Sequence, residues 1–212
     1  LTASYNDIRS VKKLVNRHKK DIAAIIIEPV EGNAGVVLPE LNFLKELRIL
    51  SDRYGIVLIF DEVITGFRIS YGGAQGFFNV KPDLTCLGKI IGGGLPVGAF
   101  GGKKEIMKLL APIGSVYQAG TFSGNPLTVT AGIVTLRALK KLNPYKELEK
   151  KTKRLCDGII LRAQNHGIML KVNNIASMFS VSFEDTELFK RFFHGLLKRK
   201  IYFSPSMFET NF

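Results

Sequence analysis

The chain has 212 residues and is 46% hydrophobic, which is enough to fill a real core and argues against disorder. Its longest apolar runs, at 22–30 and 55–60, are too short to cross a bilayer and sit beside charged residues, so they read as buried strands. The formal charge of +12 comes from lysines and arginines spread over helical stretches such as 9–20 and 146–155, where solvated outer faces explain them. No basic run is interleaved with aromatics as a single-strand-binding surface requires, so neither nucleic acid nor membrane is expected as a partner. Both ends read as mid-protein sequence, and residues are expected to be absent at each.

In chain order, Ile8, Val11, Leu14 and Val15 fall at helical spacing after an Asn6-Asp7 cap, which predicts a helix over 7–20. Residues 21–28 form a nearly continuous β-branched run, expected to be a parallel strand covered on both faces. A second amphipathic helix, over 41–54, ends at Gly55, and the next buried strand runs over 56–61. Shorter strands are expected at 84–87 and 97–101 around a glycine-rich loop, with a short helix at 103–110. Asn125-Pro126 opens a long helix to about 142. After Asn143-Pro144 the pattern changes to a helix at 145–166, strands at 168–172 and 178–183, and a helix at 185–200. The expected fold is therefore α/β, a mostly parallel sheet with flanking helices over 1–143, followed by a smaller and incomplete α+β domain over 144–212.

Asp61 ends a buried parallel strand, where open α/β sheets place their ligands; taken alone it is about as well explained by a cap or a surface ion pair. Lys89 follows another strand and precedes Gly92-Gly93-Gly94, where the backbone folds close to a bound group; alone, an ordinary solvated lysine explains it better. Together they suggest a specific chemistry. A lysine in a desolvated pocket has its ammonium form disfavoured, and the neutral amine forms a Schiff base with an aldehyde. A carboxylate facing a pyridine nitrogen keeps it protonated and makes the ring an electron sink. His18, His166 and His194 are isolated, with no HExxH or carboxylate-His ligand spacing, so no metal site is expected, and Cys86 and Cys156 lack a metal or redox spacing and read as free thiols.

Phe60-Asp61-Glu62-Val63 and Leu87-Gly88-Lys89-Ile90-Ile91-Gly92-Gly93-Gly94 resemble the cofactor motifs of the class III aminotransferases, fold-type-I pyridoxal-phosphate enzymes, and the resemblance runs through essentially all 212 residues. It implies pyridoxal 5'-phosphate or its pyridoxamine form as cofactor, with Lys89 as the Schiff-base lysine and proton carrier, Asp61 at the pyridine nitrogen and Val63 against one ring face. The loop Glu28-Pro29-Val30-Glu31-Gly32-Asn33 matches another family loop, from which Asn33 would reach the ring oxygen. Gly120-Thr121-Phe122-Ser123-Gly124-Asn125-Pro126 resembles the segment by which one subunit contacts the phosphate in its neighbour, implying a homodimer with Gly120 and Thr121 at that contact. Ile69-Ser70-Tyr71-Gly72, the Gly120-Thr121-Phe122-Ser123 wording and Ser206-Met207-Phe208-Glu209 resemble the aminomutase branch, with Glu209 near the substrate. That branch implies isomerisation of glutamate 1-semialdehyde to 5-aminolevulinate in tetrapyrrole synthesis, in the cytoplasm or, for a plant or alga, the plastid stroma. An ω-amino-acid transaminase of the same family and a non-catalytic fragment lacking the family's N-terminal half remain the alternatives.

Overall fold

Alternating helical and β-branched stretches fold here into successive layers. The structure is a computed structural model describing residues 1–212. It forms two compact units, Leu1–Pro29 with Pro39–Leu142, and Val30–Leu38 with Asn143–Phe212.

In the first unit, α1 (Ile8–His18) starts where the Asp7 carboxylate accepts from the backbone N–H groups of Arg9 and Ser10, satisfying donors that the first turn leaves unpaired. β1 (Ala24–Ile27) leads to α2 (Phe43–Tyr54), which Gly55 ends in the left-handed region. β2 (Val57–Asp61), α3 (Gly73–Phe78) and β3 (Leu84–Gly88) follow; then come a 3₁₀ turn (Lys89–Gly92), β4 (Gly98–Gly102), α4 (Lys104–Met107) and α5 (Pro126–Leu142). The sheet order is β1-β2-β3-β4, with the first three strands parallel and β4 antiparallel to β3, as expected of a mostly parallel α/β sheet.

Strand alternation decides which side chains enter the core. Ile25 lies opposite Leu58 and Ile27 opposite Phe60, and this face packs on Val11, Val15, Leu44 and Leu47 from α1 and α2. Leu58 and Phe60 are completely buried, each contributing about 2–3 kcal/mol of transfer free energy. The other face of β1 departs from expectation: Ile26 is 63% exposed, so within this chain β1 is covered on one face only. α3 was not anticipated either, since Gly-Ala-Gln-Gly-Phe-Phe carries two glycines in six residues and no apolar period.

Asp83, at the entry to β3, ties the unit together. Its carboxylate accepts from the Leu58 N–H (2.7 Å), Arg48 (2.9 Å) and Lys103 (2.6 Å). Burial by itself would raise its pKa, but the bonds from Lys103, the Leu58 amide and Arg48 outweigh it and hold the carboxyl below its ordinary value.

The second unit consists of α6 (Tyr145–Asn165), an antiparallel pair β5 (Leu170–Ile175) and β6 (Met178–Phe183), and α7 (Thr186–Lys198). Cys156, Phe179, Val181, Phe183 and Phe189 form its core. Residues 30–38 also belong to this unit, a non-contiguous division that a single boundary at 143 does not anticipate. Glu31 and Val37 pair across that loop, which bonds to the unit through Val36 N–H to Ser180 Oγ (3.0 Å) and Thr210 Oγ1 to the Gly32 carbonyl (2.7 Å).

Candidate functional site

Because side chains alternate along β2, burying Leu58 and Phe60 on one face turns Asp61 to the other, at the strand's carboxyl end. Asp61 is half-buried. Its Oδ1 accepts from the Val63 N–H at 3.0 Å, which fixes the carboxylate against the following turn, and its Oδ2 takes no donor from the chain. Opposite it in the parallel ladder lies Cys86, whose thiol is pushed up by burial and then by the Asp61 carboxylate. A protonated thiol therefore sits beside the carboxylate instead of a competing thiolate.

β3 runs past that point and delivers Lys89 three residues beyond Cys86, at most roughly 10 Å further along the strand direction. Lys89 has φ +46°, a conformation that costs a non-glycine residue energy, and it opens the 3₁₀ turn. The amine makes no ion pair or hydrogen bond within the chain. Val63 links the two strand ends: a Cβ added to Gly88, the residue before Lys89, would lie 3.2 Å from Val63 Cγ1. The turn is backed by α5, where a Cβ on Gly132 would lie 2.3 Å from the Ile91 carbonyl oxygen, so only glycine admits that approach. The expected desolvated pocket around Lys89 is not formed by this chain alone. Lys89 is exposed, as are Gly98, Ala99 and Phe100 of the edge strand β4, whose two faces are both open there.

Gly120 and Thr121 lie in an exposed segment, closed by the Ser123 N–H bonding to the Gly120 carbonyl (2.9 Å). Asn125 caps α5 directly, its Oδ1 accepting from the Thr128 N–H at 3.0 Å. Asn33 and Glu209 both belong to the second unit, on segments bonded to each other through the Gly35 N–H to the Phe208 carbonyl (2.6 Å) and Thr210 to Gly32. Glu209 is exposed and accepts from Ser204 Oγ at 2.9 Å; Asn33 is exposed as well. The structure thus brings together Asp61, Val63 and Lys89 in one unit, and the segments of Asn33 and Glu209 in the other.

Sequence reasoning missed Glu62. It is completely buried, has no cationic partner and accepts from four donors: Thr65 Oγ1 (3.0 Å), Ala74 N–H, Gln75 N–H (3.1 Å) and Gln75 Nε2 (3.1 Å). The signal available was its place inside the motif beside Asp61, followed by Gly72-Gly73, a pair that marks a turn.

An open carboxylate oxygen and an unpaired amine at the ends of adjacent parallel strands suit an aromatic ring with a basic nitrogen at one end and an aldehyde at the other. The class-III aminotransferase family model matches residues 2–206. Glutamate-1-semialdehyde 2,1-aminomutase of Thermodesulfovibrio yellowstonii is 54% identical over 98% of this chain and 52% of its own length; the same-named protein of Legionella pneumophila is 48% identical over 100% and 53%. The chain therefore spans about half the length of the curated relatives it matches. Among solved structures, an omega-transaminase from Sphaerobacter thermophilus superposes with a TM-score of 0.88 at 34% identity, covering 96% of this chain and 50% of that one. With the family model matching nearly the whole of its length, the chain belongs to the class-III aminotransferase family.

Proposed function

We propose that this chain carries the lysine and acid of a pyridoxal-phosphate site that isomerises glutamate 1-semialdehyde to 5-aminolevulinate, the step from which tetrapyrroles are built. The observation that carries it is the juxtaposition of Asp61, Val63 and Lys89 at two adjacent strand ends in a chain about 50% identical to proteins bearing that name. The residues fit the cofactor: Asp61 offers an oxygen that takes no donor from the chain, Lys89 an amine without a partner, and Val63 a rigid apolar face between them. When bound, the cofactor supplies an aldehyde for covalent attachment and a ring that withdraws electrons from the substrate carbon.

In this reading Asp61 keeps the ring nitrogen protonated, and its bond from the Val63 N–H orients the carboxylate for that purpose. Val63, β-branched and stiff at χ1, presses on one ring face and resists tilt. Lys89 would hold the cofactor and would move a proton from one substrate carbon to the other, acting as base and acid in turn. By the family resemblance Asn33 would be assigned to the ring oxygen and Glu209 to the substrate. Gly120 and Thr121 hold the phosphate bound in a second copy of the chain. A homodimer is supported by the apolar surface left open around that segment, where Ile113, Tyr117, Phe122 and Leu127 are each more than 70% exposed. The cytoplasm fits the bacterial relatives.

The test is product formation from glutamate 1-semialdehyde with no amino donor or acceptor added. Steady turnover of the full-length protein is expected. Turnover only with an external keto acid would make it an ω-amino-acid transaminase instead, a reading that the 34% identical Sphaerobacter structure supports.

A further inference from the structure

Glu62 carries an acid where stability alone would not place one. A carboxylate taken wholly out of water without a cation is costly, and an apolar side chain of similar volume would serve a core position better. The chain nevertheless arranges four donors around it, and two independent features accommodate it. Gly73 has φ +65°, and a Cβ there would lie 2.4 Å from Glu62 Oε2, so no other residue fits. Gln75 gives its side-chain amide to both Glu62 Oε1 (3.1 Å) and Thr85 Oγ1 (3.2 Å).

Those contacts join the two strands that carry the reacting pair. Glu62 follows Asp61, and its backbone N–H continues the ladder to the Cys86 carbonyl at 2.9 Å. Thr85 lies on β3 opposite Phe60, four residues before Lys89. The path Glu62–Gln75–Thr85 is thus a side-chain bridge across β2 and β3 beside the backbone ladder, with Asp61 leaving on the opposite face from its root.

We propose that Glu62 is a positioning residue: bonded to the 73–75 turn and through Gln75 to Thr85, it sets the orientation of Asp61 and its offset from Lys89. This rests on the cofactor reading above. Glu62→Gln keeps the shape but turns one acceptor into a donor facing other donors, so the strand end must shift.

The experiment uses the full-length protein with pyridoxal phosphate as probe, and measures its dissociation constant, the pH dependence of its visible band, and the melting temperature without cofactor. Losing a buried charge-assisted bond at the anchor is expected to weaken cofactor binding by at least about tenfold in Glu62→Gln and to displace the band's pH profile. A lower melting temperature with unchanged dissociation constant and pH profile would overturn the proposal, leaving Glu62 a packing element. Should Glu62→Gln not fold, Gln75→Leu decides, because it removes only the bridge; it is expected to weaken the probe severalfold, and wild-type binding would overturn the proposal. A wild-type protein that binds no pyridoxal phosphate would instead refute the cofactor reading itself.

Discussion

Asp61 and Cys86 face each other across the ladder, and the carboxylate adds to burial in raising the pKa of the thiol. Because the carboxylate helps hold the thiol above its ordinary pKa, Asp61→Asn removes that influence and leaves only burial. Alkylation of Cys86 at mildly alkaline pH, followed by peptide mass spectrometry, is expected to run faster in Asp61→Asn than in the wild type, with Cys156 in the other unit as internal reference. An unchanged Cys86 rate would mean that the carboxylate does not bear on the thiol. The motif singles out Lys89, but its left-handed backbone and its exposure were not legible: φ depends on how the turn seats against α5, and exposure on which layers cover β4. Glu62 escaped notice for a related reason. Its meaning lies in donors from 65, 74 and 75, and no local pattern announces that three separate positions converge on one carboxylate.

Among the elements, helices with an apolar period and a clear stop were readable to within a few residues. α2 ends at Gly55, and α5 begins at Pro126 with Asn125 as its cap. α3 and the edge position of β1 were not, since one has no period and the other depends on sheet order. What holds these elements in register is the Asp83 hub, linking β2, α2 and the start of α4. Asp83→Asn takes away one of the two carboxylates paired with Arg48, which keeps Asp52 at 2.8 Å, together with the partner of Lys103, and is expected to cost about 2 kcal/mol at neutral pH, read from denaturant unfolding. Asp83 has a folded pKa below its unfolded one. Its contribution is therefore fully present above about pH 4 and is lost as pH falls through the folded value. The wild-type stability curve should accordingly steepen below pH 4, and the Asp83→Asn curve should be flatter there; parallel curves would show that the hub does not titrate with folding.

For the molecule as a whole, the division into two units places Asp61, Val63 and Lys89 in one and Asn33 and Glu209 in the other, with loop 30–38 leaving the first part of the sequence to join the last. Sequence periodicity could not show that, because a nine-residue loop carries no mark of the unit it packs on. The change of pattern after Asn143-Pro144 suggested a second domain, and the family resemblance supplied both motifs, since each is contiguous in the chain. What remains to be tested is whether the strand-end pair holds the cofactor as proposed. Reduction of the full-length protein with borohydride in the presence of pyridoxal phosphate, followed by digestion and mass spectrometry, tests this most directly. Label on the peptide containing Lys89, and its disappearance in Lys89→Ala, is the expected result; label retained in that variant, or fixed on another lysine of the wild type, would contradict it.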